Sequence, residues 1–140
     1  MIHYAYYTNT GRYVQTGTSV AQVLESDIPA GCSVYYGEVN IFAQYHDVAT
    51  NTPASKGTAP SDGHKFDYSA KAWVPDTDYL NSRARHDRGQ LLQSSDWTQI
   101  PNSPLTVTQQ TAWATYRQAL RDIPQQTGYP ISITWPIAPA

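Results

Sequence analysis

Apolar and aromatic residues recur with a period of two through the first half of the chain, and with a period near 3.6 through much of the second. Residues 2–8 and 12–16 read as strands around Asn9-Thr10-Gly11, where glycine can take the left-handed position of a hairpin loop. Residues 19–26 read as a short helix capped by Ser19, with a third strand as the alternative. Residues 33–39 and 42–48 are rich in β-branched and aromatic side chains and give two more strands. Residues 49–63 hold glycine and proline turn sites without apolar periodicity, which reads as a loop or linker. Residues 64–68 and 72–74 then flank Ser69-Ala70-Lys71 as a compact hairpin closed by Pro75.

The period changes at Asp76. Asp76 or Thr77 can cap a helix over residues 78–93, with Leu80, Ala84, Leu91 and Leu92 as a thin apolar stripe. Gly89 weakens that helix by about 1 kcal/mol relative to alanine. A second helix starts at Thr106, with Gln109 at capping-box spacing. Trp113, Tyr116, Leu120 and Ile123 fall on one of its faces, and Pro124 stops it. Arg117 and Arg121 lie toward its C-terminal end, where the helix dipole favours cations. Packed together, the two helices form an αα-hairpin whose core is Trp97, Trp113, Tyr116, Leu120 and Ile123. Residues 131–135 alternate cleanly and read as a strand ended by Pro136. The expected class is α+β: N-terminal antiparallel β-hairpins followed by a C-terminal αα-hairpin and a short terminal strand. The expected regions are 1–75, β-rich with 49–63 as its loop; 76–125, the helical hairpin; and 126–140, the strand and tail.

An internal echo runs through the β region. The segment Tyr7-Thr8-Asn9-Thr10-Gly11-Arg12-Tyr13-Val14 and the segment Asp67-Tyr68-Ser69-Ala70-Lys71-Ala72-Trp73-Val74 share a polar turn, a basic residue, an aromatic and valine. Residues 44–50 resemble the first half of such a unit, so small aromatic hairpins are repeated.

Composition changes the picture in one respect. Only 14% of residues are charged, whereas 12% are aromatic, and eleven tyrosines and four tryptophans outnumber two phenylalanines. Tyrosine and tryptophan join an apolar body to a polar handle, which suits partly wet surfaces and interfaces. Tyr4, Tyr6, Tyr13, Tyr35, Tyr36, Tyr45 and Tyr68 are therefore the candidate interaction surface, and a glycan-stacking platform is a rival use for the same rings. A net charge of −2 gives no electrostatic case for nucleic acid or an anionic membrane. The lone Cys32 permits no intrachain disulfide and fits a reducing cytoplasm. The N-terminus has neither the basic leader nor the apolar run of a signal peptide, and no stretch approaches the ~20 apolar residues that span a membrane.

Catalytic constellations are missing. His3, His46, His64 and His86 show no metal-binding spacing, and no phosphate loop, nucleophile elbow or dinucleotide glycine set occurs. Asp62, Asp67, Asp76 and Asp78 could supply paired carboxylates only if the fold placed them ~5–9.5 Å apart across a cleft. The expectation is a protein that is not an enzyme, with no cofactor, no metal and no small-molecule substrate.

Several pieces in order carry a resemblance. They are Phe66-Asp67-Tyr68-Ser69-Ala70-Lys71-Ala72-Trp73-Val74 before Pro75; Ser82-Arg83-Ala84-Arg85 with Leu91-Leu92; and Ser95-Asp96-Trp97-Thr98-Gln99-Ile100-Pro101. The run from Trp113-Ala114-Thr115-Tyr116-Arg117 to Ile123-Pro124, and the closing Trp135-Pro136, complete them. Together they resemble the tail assembly chaperone-like and tail-fibre-associated proteins of tailed bacteriophages, more fully in the second half of the chain than in the first. His86, Arg88 and Gly89 depart from the pattern. The resemblance implies a structural job without catalytic residues, made in the bacterial host cytoplasm. It implies a tail-fibre or baseplate protein as partner, with a homo-oligomer left open, and no nucleic acid or membrane. Two mechanisms follow from it: a lasting virion component of the tail, or a transient chaperone that leaves after assembly. The expectation is the first: a protein bound to a tail-fibre or baseplate component and retained in the virion.

Overall fold

The computed structural model describes residues 1–140 and divides into two compact units, Met1–Val74 and Pro75–Ala140. The class is α+β, with antiparallel hairpins first and two helices after them. No helix is long and apolar enough to cross a membrane.

In the first unit, β1 (Ile2–Thr8) is the centre of a three-stranded antiparallel sheet, between β2 (Tyr13–Ser19) and β3 (Cys32–Tyr36). Ala5, opposite both Thr16 and Tyr35, is fully buried at its middle. Alternation puts Tyr4, Tyr6 and Tyr36 on one face and His3, Ala5 and Tyr35 on the other. The 20–31 segment is tied to the first face, where the Val23 amide donates to the Tyr36 hydroxyl at 3.1 Å. Tyr7 of β1 meets the next hairpin, stacking on His46 with ring centroids 3.8 Å apart.

That hairpin pairs β4 (Gln44–Asp47) with β5 (Thr52–Ser55), and β6 (His64–Asp67) pairs with β7 (Ala72–Pro75). The two are built alike, which is the physical content of the sequence echo. Asp47 accepts from the Ala49 amide, and Asp67 from those of Ser69 and Ala70, so each aspartate caps its own turn. Asn51 and Lys71 then close the turns at the same left-handed φ of 54°. Tyr45 meets Phe66 at 5.4 Å, and the Lys71 ammonium donates to Asp47 at 2.7 Å, so the hairpins are fastened to each other.

In the second unit, α1 (Thr77–Ser94) is capped by the Asp76 side chain, and α2 (Val107–Asp122) by a full Thr106–Gln109 capping box. Pro124 sits in a single 3-10 turn, Ile123–Gln125, beyond α2. Tyr116, Leu120 and Ile123 form the core, with Leu91, Leu92, Trp113, Tyr129, Ile133 and Trp135 packed around them.

Three expectations are corrected. Residues 19–26 form no helix: β2 runs to Ser19, and only Glu25–Asp27 makes a 3-10 turn. Val20 and Leu24 are 89% and 68% exposed there, so no apolar stripe exists to hold so short a helix. Residues 49–63 are not simply a loop, because β5 lies within them, with Pro53 tolerated in a two-stranded edge. Residues 131–135 form no terminal strand. Their unit holds no sheet for them to join, and the Gln126 side chain takes the neighbour's place. Its amide donates to Thr134 O at 2.8 Å and accepts from Thr134 N at 2.9 Å.

Candidate functional site

Ser95 and Asp96 end α1 and open the 3-10 turn Asp96–Gln99, so the chain reverses where α1 leaves carbonyls without helical partners. Ser95, 2% exposed, turns its hydroxyl back to Leu91 O and Leu92 O at 2.8 and 3.0 Å. Thr98, 1% exposed, donates to Ser95 O at 2.7 Å and tightens the turn. Arg117 of α2 reaches into this joint. It donates to Leu92 O at 2.6 Å, to the Ser95 hydroxyl at 2.8 Å and to Asp96 Oδ1 at 2.6 Å. A cation at the C-terminal end of α1 meets the negative pole of that helix. Arg117 thus complements the dipole of the neighbouring helix, where the sequence suggested its own.

Two indoles close the same joint. Trp97 and Trp113 lie 6.3 Å apart, and Trp113 meets Tyr116 edge-on at 5.6 Å. Tyr116, Leu120 and Ile123 are buried, and Trp113 is partly buried against them. Trp97 is 46% exposed and is not core: it forms the outer wall of the joint, because the 3-10 turn carries it past the end of α1. Ser95, Asp96, Trp97, Trp113 and Arg117 are thus one side-chain cluster.

The tyrosines do not form one surface. Tyr6 and Tyr13 are 4% and 5% exposed and are corrected from surface to core. Tyr13 donates to His46 Nδ1 at 3.1 Å, which leaves Nε2 to donate to Asn51 Oδ1 at 3.0 Å. His46 is fully buried among Tyr7, Tyr13 and Tyr35, and it went unrecognised because its partners are remote in sequence. Burial, then the neighbouring Tyr35 and Tyr7, push the Tyr13 phenol up to about 12, and burial also raises Tyr6. Tyr4 and Tyr35 lie across Gly17 and Gly37, where an added Cβ would come within 2.6 Å and 2.7 Å of their rings. Tyr36, half-buried, holds Val23. Tyr45 and Tyr68, also half-buried, flank Phe66 at 5.4 and 5.2 Å, and the Lys56 ammonium lies 5.0 Å from the Tyr68 ring. No group of three or more His, Cys, Asp or Glu side chains is placed to hold a metal ion.

Residues 81–140 match the family model described as phage tail assembly chaperone protein. No curated protein and no solved structure matches the chain. The matched segment contains the whole Ser95–Arg117 joint and the core beneath it.

Proposed function

We propose, from the membership of residues 81–140 in the phage tail assembly chaperone family, that this chain is a non-catalytic chaperone acting transiently in tail assembly. The family match carries the reading, and its role is related to the phage tail. The cluster inside the matched segment supports it: Arg117, Asp96 and Ser95 hold the two helices in one arrangement, and Trp97 stands half-exposed on that rigid base. A rigid aromatic with one face in solvent is the usual anchor of a protein contact. In this reading Trp97 touches a tail protein while it assembles, and no bond is made or broken.

The test is quantitative mass spectrometry of purified virions and of infected-cell lysate, counting this polypeptide against the major tail protein. Abundance in lysate with loss from virions is the expected result. A fixed small-integer ratio per tail in virions overturns transient action and makes the protein a lasting part of the tail, bound to a fibre or baseplate component.

A further inference from the structure

In the second unit, residues 130–135 run beside α1 and leave an open groove of about 210 Å³. Leu80 and Ala84 of α1 line it together with Pro130, Ile131, Ile133 and Trp135, and Arg83 and Asp87 stand at its rim. The walls are held in place. The Tyr129 hydroxyl donates to Asn81 Oδ1 and ties the segment to α1, while the Gln126 side chain holds both main-chain groups of Thr134. An apolar cavity of ~150 Å³ takes a benzene molecule, so this groove has room for one aliphatic side chain.

A projection stands next to the recess. Residues 136–140 read Pro-Ile-Ala-Pro-Ala, and Ile137 is 93% exposed. It lies two residues beyond Trp135, within about 7 Å along the chain. Pro136 and Pro139 fix their own φ and hold Trp135 and Ala138 in extended backbone. No helix or strand includes this segment, so the prolines keep it straight. A straight segment carries Ile137 away from the groove that Trp135 lines, and presents it with little entropy left to lose.

We infer that the groove receives a second copy of this chain, in a two-fold contact where each copy's Ile137 enters the other's groove. Recess and projection lie side by side in one patch, which is what a contact between identical surfaces requires. The rim is self-complementary in charge as well. Arg83 and Asp87 lie one turn apart on α1 with opposite signs, so a two-fold axis can bring Arg83 of each copy to Asp87 of the other. Within one copy the pair spans 3.9 Å between side chains 60% and 45% exposed, and it contributes little to folding. This goes beyond the chaperone reading, which rests on the Trp97 joint, and either can fail while the other stands.

The experiment is sedimentation equilibrium of the full chain, with helical circular dichroism to show that each variant is folded. The unaltered chain is expected to pass from monomer to dimer as its concentration rises toward about 1 mM, as a weak contact of small area would. Ile137 acts twice in a two-fold contact, so Ile137→Ala should weaken association about a hundredfold. Arg83→Glu and Asp87→Arg, each at an exposed site, should each weaken it alone, because like charges then meet. Mixed in equal amounts, these two variants should associate with each other: the introduced glutamate meets the introduced arginine, and the remaining Asp87 and Arg83 meet. In a sample mixing labelled and unlabelled copies, magnetisation should pass between copies from the Ile137 methyls to Leu80. A monomer mass at about 1 mM overturns the proposal, as does a dimer that Ile137→Ala leaves intact. Charge variants that associate no better mixed than alone overturn it too, as does an Ile137–Leu80 signal confined to one copy.

Discussion

Arg117 and Asp96 form an ion pair of unequal burial, with Nη2 to Oδ1 at 2.6 Å and side chains 9% and 63% exposed. The inequality sets what each partner contributes. Asp96 is largely solvated in either state, so Asp96→Asn is expected to cost about 1–2 kcal/mol, the scale of one charge-assisted hydrogen bond in partial contact with water. Arg117→Ala removes that bond, the bonds to Leu92 O and the Ser95 hydroxyl, and the packing of the arginine stem. It should cost about 3 kcal/mol, and a double-mutant cycle should show coupling of roughly 1 kcal/mol. Urea unfolding followed by helical circular dichroism reads the second unit, which holds both α-helices. Equal losses for the two single variants contradict the asymmetry.

Trp97 and Trp113 should separate stability from assembly. Trp113 packs on the Tyr116–Leu120–Ile123 core, so Trp113→Ala should cost about 3 kcal/mol and melt the helices early. Trp97 is 46% exposed, and its removal should cost about 1 kcal/mol or less. In a phage supplied only with the Trp97→Ala protein, complete tails counted by electron microscopy should nevertheless fall. Normal tail yield with a folded Trp97→Ala protein removes Trp97 as the contact.

What was legible in the sequence was local. The Thr106–Gln109 box, the Asp76 cap and the stop after Ile123 involve residues within a few positions of each other, and each forms as expected. The face shared by Tyr116, Leu120 and Ile123 also follows from spacing alone. Arg117 misled because its acceptors come from residues 92–96, across the turn; charge on a helix reads as solvent-facing unless the partner is known. Tyr6 and Tyr13 misled for a related reason. Alternation says which face a residue takes, and not that residues 20–31 and the β4–β5 hairpin would each reach the sheet. Residues 131–135 had a strand's pattern without a neighbouring strand, and pattern cannot supply a partner.

Alkaline titration should expose the buried phenols. Tyr13 ionises at about 12 in the folded protein against an ordinary 10.0. A raised folded value means the stabilisation is full below the unfolded pKa of 10.0 and is lost as pH climbs to about 12. Absorbance at the phenolate wavelength should therefore show a late phase, with Tyr6 also delayed. Tyr13→Phe should remove the Tyr13 component of that phase and leave His46 Nδ1 without its donor. An unchanged late phase in Tyr13→Phe shows that the phenol is not held as described.

Lys71 and Asp47 should make the joint between the two small hairpins sensitive to acid. The hydrogen bond from Lys71 holds the Asp47 carboxyl below its ordinary 3.8, although burial opposes it, and the amide of Ala49 assists. A depressed folded value contributes stability that is present above the unfolded pKa and is lost as pH falls through the folded one. Lys71 is raised above 10.5 chiefly by the same hydrogen bond, so its contribution is full below 10.5 and fades above that. Between these limits, Lys71→Met should speed amide hydrogen exchange in both β4–β5 and β6–β7 relative to the unaltered chain. The difference should narrow as pH drops below 3.8, where Asp47 protonates and the unaltered chain loses the same pair. Exchange rates that differ equally at neutral pH and well below 3.8 would mean that Lys71 acts only through its contact with the Tyr45 ring, 5.9 Å from the ammonium.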